Sequence, residues 1–187
     1  MNSKDHSITA IILAGGKSSR MGQEKGLMKL DGDPFISHII NEVKTLTNKI
    51  LIITNHTGYH QFGYPCIVDS ITDCGPIGGI YTALSHTKTE NNLILSCDIP
   101  FIKKYSLEKL MKHFKPKKDI IHYENNPLIG IYKKSLSSLF LDCIQKKQLK
   151  LQKLLSSLQV QTIIIEEDKS FHLKNINTPQ QYKEAIA

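Results

Sequence analysis

The chain has 187 residues, of which 40% are hydrophobic and 22% charged, with a formal net charge of +7. Those values suit one globular domain with a sizeable core, exclude wholesale disorder, and favour anionic partners such as nucleic acid, an acidic membrane surface or a phosphorylated metabolite. No segment approaches the ~18–20 apolar residues of a membrane span. The early apolar run Ile8–Ala14 leads into glycines and not into a cleavage site, so the sequence reads as cytoplasmic.

In chain order, ITAIILA (8–14) is β-branched and apolar, as a strand buried on both faces should be. A helix is expected next, with Asp33 as N-cap, Pro34 at its first position and an apolar stripe through Phe35, Ile36, Ile39, Ile40, Val43 and Leu46. Residues 49–54 and 65–70 read as strands, 77–86 as a helix, and NLILSCD (92–98) as a strand ending on a carboxylate. A helix over 106–114 and strands over 119–123 and 126–133 follow. Residues 135–147 and 150–158 read as helices, and 160–165 as a strand. Thr178, Pro179 and Gln181 spell the capping box of a last helix. Strand–helix alternation of this kind predicts an α/β fold, a doubly wound and mostly parallel sheet in a single domain. In such sheets ligands bind beyond the C-terminal ends of the strands. That rule selects the loop after the first strand, the region of Asp69 and the region of Asp98.

Cys66, Cys74, Cys97 and Cys143 show no C-x-x-C spacing and read as reduced thiols, mostly buried. The first loop, ILAGGKSSRMGQEKGL (12–27), holds four glycines together with Lys17, Arg20 and Lys25. It fits neither G-x-G-x-x-G nor G-x-x-x-x-G-K-[ST]. Its glycines still let backbone N–H groups converge on an anion, Arg20 can fork two phosphate oxygens, and Lys25 supplies a compact charge. The plainer reading is a tight turn with solvated charges. Asp98, in CDIPF, either caps a turn or holds Mg²⁺. A cationic loop and an acidic strand end on one sheet edge together make a site for a magnesium-bound nucleotide. His38, His86 and His113 read as helix-surface residues.

The loop resembles the L-A-G-G-x-S-x-R-M-G…K-x-L signature of the MobA-like nucleotidyltransferases. Further similarities run along the chain: Asn55-His56, VDS around Asp69, GPIGGIYTAL (75–84), CDIPF (97–101), NPLIGIYKKSL (126–136) and NINTP (175–179). Within that family the series is most similar to the molybdenum cofactor guanylyltransferases. The resemblance implies that GTP and Mg²⁺ bind at the sheet edge and that the terminal phosphate of molybdopterin attacks the α-phosphorus, releasing pyrophosphate. It implies GTP contacts at Leu13, Ala14, Gly15, Lys25, Asn55, Asp69 and Asp98, catalytic roles for Arg20, Lys25 and Asp98, and Asp98 as metal ligand. Asn175 and Asn177 match asparagines of the molybdopterin side. LAGG with GPIGG favours guanine, because cytidylyl-transferring relatives carry L-A-A-G. One departure stands out: the family's Arg-Arg pair is replaced by KKQLKLQKLL (146–155). Lys146, Lys147 and Lys150 either supply that charge or form a solvated helix face.

The resemblance leaves two alternatives. One is a related transferase using CTP or a sugar-phosphate acceptor. The other is a silent nucleotide-sensing or nucleic-acid-binding protein, against which stands the lack of a basic patch interleaved with aromatics. The expected partners are therefore small molecules, with neither nucleic acid nor membrane. The resemblance allows transient contact with molybdenum cofactor delivery or acceptor proteins and leaves open monomer or homo-oligomer.

Overall fold

The structure is a computed structural model describing residues 8–15, 23–69, 71 and 73–186. In chain order the elements are β1 (Ile8–Leu13), β2 (Lys29–Leu30), β3 (Asp33–Pro34), α1 (Phe35–Val43), β4 (Ile50–Ile53), β5 (Cys66–Ile67), α2 (Gly75–His86) and β6 (Asn91–Ser96). Then come α3 (Lys104–His113), β7 (Ile120–Tyr123), β8 (Asn126–Lys133), α4 (Ser137–Gln145), α5 (Leu151–Leu155), β9 (Val160–Ile163) and α6 (Pro179–Ile186). Among the described residues, seven strands form one sheet in the order β5-β4-β1-β6-β8-β7-β9. β8 runs antiparallel to both of its neighbours, while the other pairings are parallel. This is the doubly wound, mostly parallel sheet expected from the alternation of elements.

β1 is the axis of the sheet, and each of its residues is buried. Its side chains alternate between two cores. Ala10 and Ile12 pack with Ile36 and Ile39 of α1 and Leu107 of α3. Ile11 and Leu13 pack on the opposite face with Ile77 and Ile80 of α2, Phe140 of α4 and Leu154 of α5. A strand covered on both faces has no position for a polar-out residue, which is why its sequence is an unbroken apolar run. The chain moves outward from β1 to β4 and β5, then returns through α2 to pair β6 with the other edge of β1. The strand order therefore reverses between β1 and β6, and a crevice opens beyond their C-terminal ends.

The start of α1 departs from the sequence reading. Asp33 does not cap the helix: Pro34 is the N-cap residue, and no side chain caps this end. Asp33 and Pro34 instead pair with Leu30 and Lys29 in a small hairpin. Asp31 (φ 51°) and Gly32 (φ 88°) form its turn, both in the left-handed conformation that an Asp-Gly hairpin requires. Hairpin pairing holds Asp33 extended, and Phe35 N donates to Met28 O at 2.8 Å in place of a side-chain cap. α2 begins two residues earlier than expected, with Pro76 in its first turn, and α5 is confined to Leu151–Leu155. The capping box of α6 forms as read: Gln181 N donates to Thr178 Oγ1 at 3.2 Å, and Thr178 N to Gln181 Oε1 at 3.1 Å.

At the opposite end of the sheet, Asn92 is fully buried. Its Oδ1 accepts from Thr87 Oγ1 (2.6 Å) and Thr89 Oγ1 (3.0 Å), and its Nδ2 donates to Thr89 O (3.1 Å) and Glu90 O (3.2 Å). This network locks the α2–β6 connection that delivers Asp98 to the crevice. Asn92→Leu removes the 2.6 Å acceptor of the buried Thr87 hydroxyl and the donor to Thr89 O. It is expected to lower the unfolding free energy by roughly 2–4 kcal/mol in urea titration, with the slope against urea unchanged.

Candidate active site

The ladder of the central strands continues past their formal ends. Ala14 N donates to Ile53 O at 2.8 Å and Cys97 N to Leu13 O at 3.1 Å, so Ala14–Gly15 and Cys97–Asp98 leave the sheet side by side. Asp98 lies in the turn after β6 and is only 7% exposed. A buried carboxylate must be compensated, and this one is. Its Oδ1 accepts from Ser96 Oγ (2.6 Å) and Asn175 Nδ2 (2.9 Å), and its main-chain carbonyl accepts from Ile176 N (2.9 Å). Lys25 Nζ lies 3.5 Å from Oδ2 and donates to Asn177 Oδ1 at 2.6 Å. Four residues singled out in the sequence, Lys25, Asp98, Asn175 and Asn177, thus meet at one point.

Leu13, Ala14, Gly15, Asn55 and Asp69 gather beside that point, in the wall of a cleft of about 920 Å³. Asp69 is oriented from three elements. Its N–H donates to Asn55 Oδ1 (2.8 Å), while its Oδ1 accepts from Thr82 Oγ1 (2.8 Å) and Ile71 N (3.3 Å). Cys74, Gly75 and Pro76, at the N-terminus of α2, close the same cleft. A helix start there turns its unpaired N–H groups and positive dipole end toward an incoming anion. Cys97 is not a nucleophile in this arrangement, because burial and the neighbouring Asp98 charge push its thiol up to about 12.

Asp98 is the carboxylate that a hard cation entering this cluster would meet. Oδ1 of Asp98 is taken up by Ser96 and Asn175, and Oδ2 lies 3.5 Å from the Lys25 ammonium. Among the described residues no three His, Cys, Asp or Glu side chains form a metal cage. A carboxylate oxygen held only by that long contact suits an ion that completes its shell with water and substrate phosphate, as Mg²⁺ does.

Arg20, with the glycines and serines around it, lies outside the described residues. Lys146, Lys147 and Lys150 are exposed around the end of α4, and Lys146 pairs with Asp142 one turn back at 2.7 Å. Among the described residues no ion pair joins them to the Lys25–Asp98 cluster. The sequence reading missed Ser96, Thr82, Glu24 and Tyr59. Ser96 stands two residues before Asp98, the spacing at which a strand returns a side chain to the same face, and that signal was available. Thr82 and Tyr59 carried none: Thr82 lies in an apolar helix stretch, and Tyr59 is a lone aromatic in the polar segment TGYHQ (57–61).

Residues 10–162 match the MobA-like NTP transferase domain. The chain belongs to the MobA-like NTP transferase family and is a nucleotidyltransferase. A probable molybdenum cofactor guanylyltransferase of Flavobacterium johnsoniae is 43% identical over 178 residues, 93% of this chain and 94% of the relative. Another of that description, from Aquifex aeolicus, is 30% identical over 96% of this chain and 90% of its own length. The crystal structure of molybdopterin-guanine dinucleotide biosynthesis protein A from Archaeoglobus fulgidus superposes with a TM-score of 0.81. It covers 95% of this chain and 96% of that one at 23% identity, and so shows the same fold.

In this MobA-like chain the asparagines reach Asp98 on a C-terminal arm, residues 164–177. The arm is fastened to α3 by Glu166, whose Oε1 accepts from Lys109 Nζ (2.7 Å) and Tyr105 Oη (2.9 Å). The Lys109 ammonium holds the Glu166 carboxyl at about 2, below its ordinary 4.5. A depressed carboxylate contributes above its ordinary range, and the contribution is lost as pH falls from there toward 2. The side-chain carboxyl carbon of Glu166 is expected to titrate by NMR near 2, and Lys109→Ala to return that midpoint toward 4.5.

Proposed function

We propose that the protein transfers GMP from GTP to the terminal phosphate of molybdopterin, releasing pyrophosphate and forming a guanine dinucleotide cofactor. The observation that carries this reading is the cluster at the switch point. A lysine from the first loop, the carboxylate after β6 and two asparagines from the C-terminal arm converge there. They do so in a chain whose relatives, matched along nearly their whole length, are described as molybdenum cofactor guanylyltransferases.

The nucleoside occupies the cleft between the Leu13–Gly15 backbone and the Asn55–Asp69 wall, with its triphosphate directed toward Lys25. The Lys25 ammonium neutralises phosphate charge as the bond to pyrophosphate breaks, the term that dominates phosphoryl transfer. Asp98 is the residue that would hold Mg²⁺, through Oδ2. When bound, that ion supplies further charge neutralisation and fixes the orientation of the phosphates. Asn175 keeps the carboxylate turned so that Oδ2 faces Lys25, and Asn177 fixes the lysine. A phosphate monoester is already anionic near neutral pH, with a second pKa of about 6, so the acceptor needs no strong base. Arg20 stands in the same loop as a second phosphate-binding cation. The enzyme works on small molecules in the cytoplasm, with transient contact to molybdenum cofactor delivery or acceptor proteins.

Turnover of purified molybdopterin with each nucleoside triphosphate in turn tests this reading. Pyrophosphate is expected with GTP and Mg²⁺, and neither with CTP nor after chelation by EDTA. Lys25→Ala should lower kcat/KM by about 10²–10³-fold, the scale of losing one preorganised transition-state contact, and Asp98→Ala should abolish turnover with GTP and Mg²⁺, unchanged activity overturning the metal assignment. Turnover with CTP alone would overturn the guanine assignment.

A further inference from the structure

The Lys25 turn rests on a buried tyrosine. Residues Lys25–Leu27 close as a 3-10 turn, with Leu27 N donating to Glu24 O and Met28 N to Lys25 O, both at 3.1 Å. Beneath it Tyr59 is fully buried, and its hydroxyl donates to Glu24 Oε2 at 3.2 Å. A methyl group at Gly26 would stand 2.6 Å from that hydroxyl and 3.1 Å from Cys97 Cβ. The turn is therefore wedged between Tyr59 and the residue that precedes Asp98. Tyr59 itself belongs to the 3-10 segment Thr57–Phe62, which directly follows Asn55 and His56 of the cleft. Burial holds its hydroxyl above the ordinary tyrosine range, so it remains a donor at every pH the enzyme meets.

We infer that Tyr59 and Glu24 are positioning residues: the Tyr59 hydroxyl restrains the Glu24 carboxylate, and this keeps the Lys25 ammonium on Asn177 and Asp98. Glu24 lines the cleft and is the chain neighbour of Lys25. A carboxylate released at that place competes with Asp98 for the ammonium, whose contact with Oδ2 is already long at 3.5 Å. It also repels an entering polyphosphate. Tied back by a buried hydroxyl, the same carboxylate becomes part of the wall. The inference rests on the reading of Lys25 as a phosphate contact, but the position of Lys25 is measurable without substrate.

The test uses the substrate-free protein with ¹³C-dimethylated lysines, the Lys25 resonance being assigned by its loss in Lys25→Arg. In Tyr59→Phe the Lys25 resonance is expected to move and kcat to fall about tenfold, the scale of one hydrogen bond expressed in a rate. In the double variant Tyr59→Phe/Glu24→Gln, which has no free carboxylate, both should return toward wild type. A merely structural tyrosine predicts no such rescue. Gly26→Ala lifts the turn off Tyr59 from the other side and should move the same resonance, whatever the stability of Tyr59→Phe. An unmoved Lys25 resonance in Tyr59→Phe or in Gly26→Ala, or a loss of kcat that Glu24→Gln leaves uncorrected, overturns the proposal. A wild-type protein that transfers no GMP, yet shows the shift and its rescue, refutes the guanylyltransferase reading and leaves the role of Tyr59 standing.

Discussion

The compensation of one buried carboxylate governs how this protein is assembled. Asp98 sits where two central strands of the sheet part, shielded from water, and an unpaired charge there would be costly. Its partners come from three directions: Ser96 from its own strand, Asn175 from the C-terminal arm and Lys25 from the first loop. Each of those segments has a fixed position because it must reach that carboxylate. The same bonds turn the other carboxylate oxygen to the Lys25 ammonium, so the electrostatic solution of the fold also places the lysine.

The rest of the structure supplies the rigidity this arrangement needs. β1 is buried on both faces, and its two cores clamp it between five helices. The Asn92 network fixes the entry to β6 at the far end of the sheet, and the Glu166 anchor fixes the arm that bears the asparagines. The site itself is irregular backbone: a loop, a turn and an arm, which rigid elements hold only at their ends. The Tyr59–Glu24 bond and the close approach at Gly26 extend that rigidity into the loop. They also link the cleft wall that carries Asn55 to the cluster that carries Lys25 and Asp98. The two parts of the candidate site thus share one piece of packing.

Local signals were the most legible part of the sequence. The apolar run of β1, the stripe of α1 and the Thr178–Gln181 capping box depend on neighbours a few residues away, and the structure realises them. The misreading at Asp33 has the same origin. Asp-Pro before an apolar stripe is a good helix start, but Asp31-Gly32 just upstream is a good hairpin turn, and only one of the two can claim Asp33. The hairpin prevails because Pro34, extended, still allows Phe35 to donate to Met28 O and bury its ring in the small core with Met28 and Leu30.

By itself the sequence determined most strands of the central sheet and the helices that cover it, that they alternate into a mostly parallel sheet, and that cationic and acidic residues end up at its C-terminal edge. Periodicity and capping act over one or two turns of chain, and the doubly wound topology follows from alternation. Tertiary structure alone decided which of those residues touch. Asn175 meets Asp98 across 77 residues and Lys25 meets Asn177 across 152. No local pattern encodes such pairings, because they exist only once the sheet has brought its edges together. The same holds for Tyr59. In the sequence it is one aromatic residue between Gly58 and His60, and its place beneath the Lys25 turn arises from the packing of two segments that are distant along the chain.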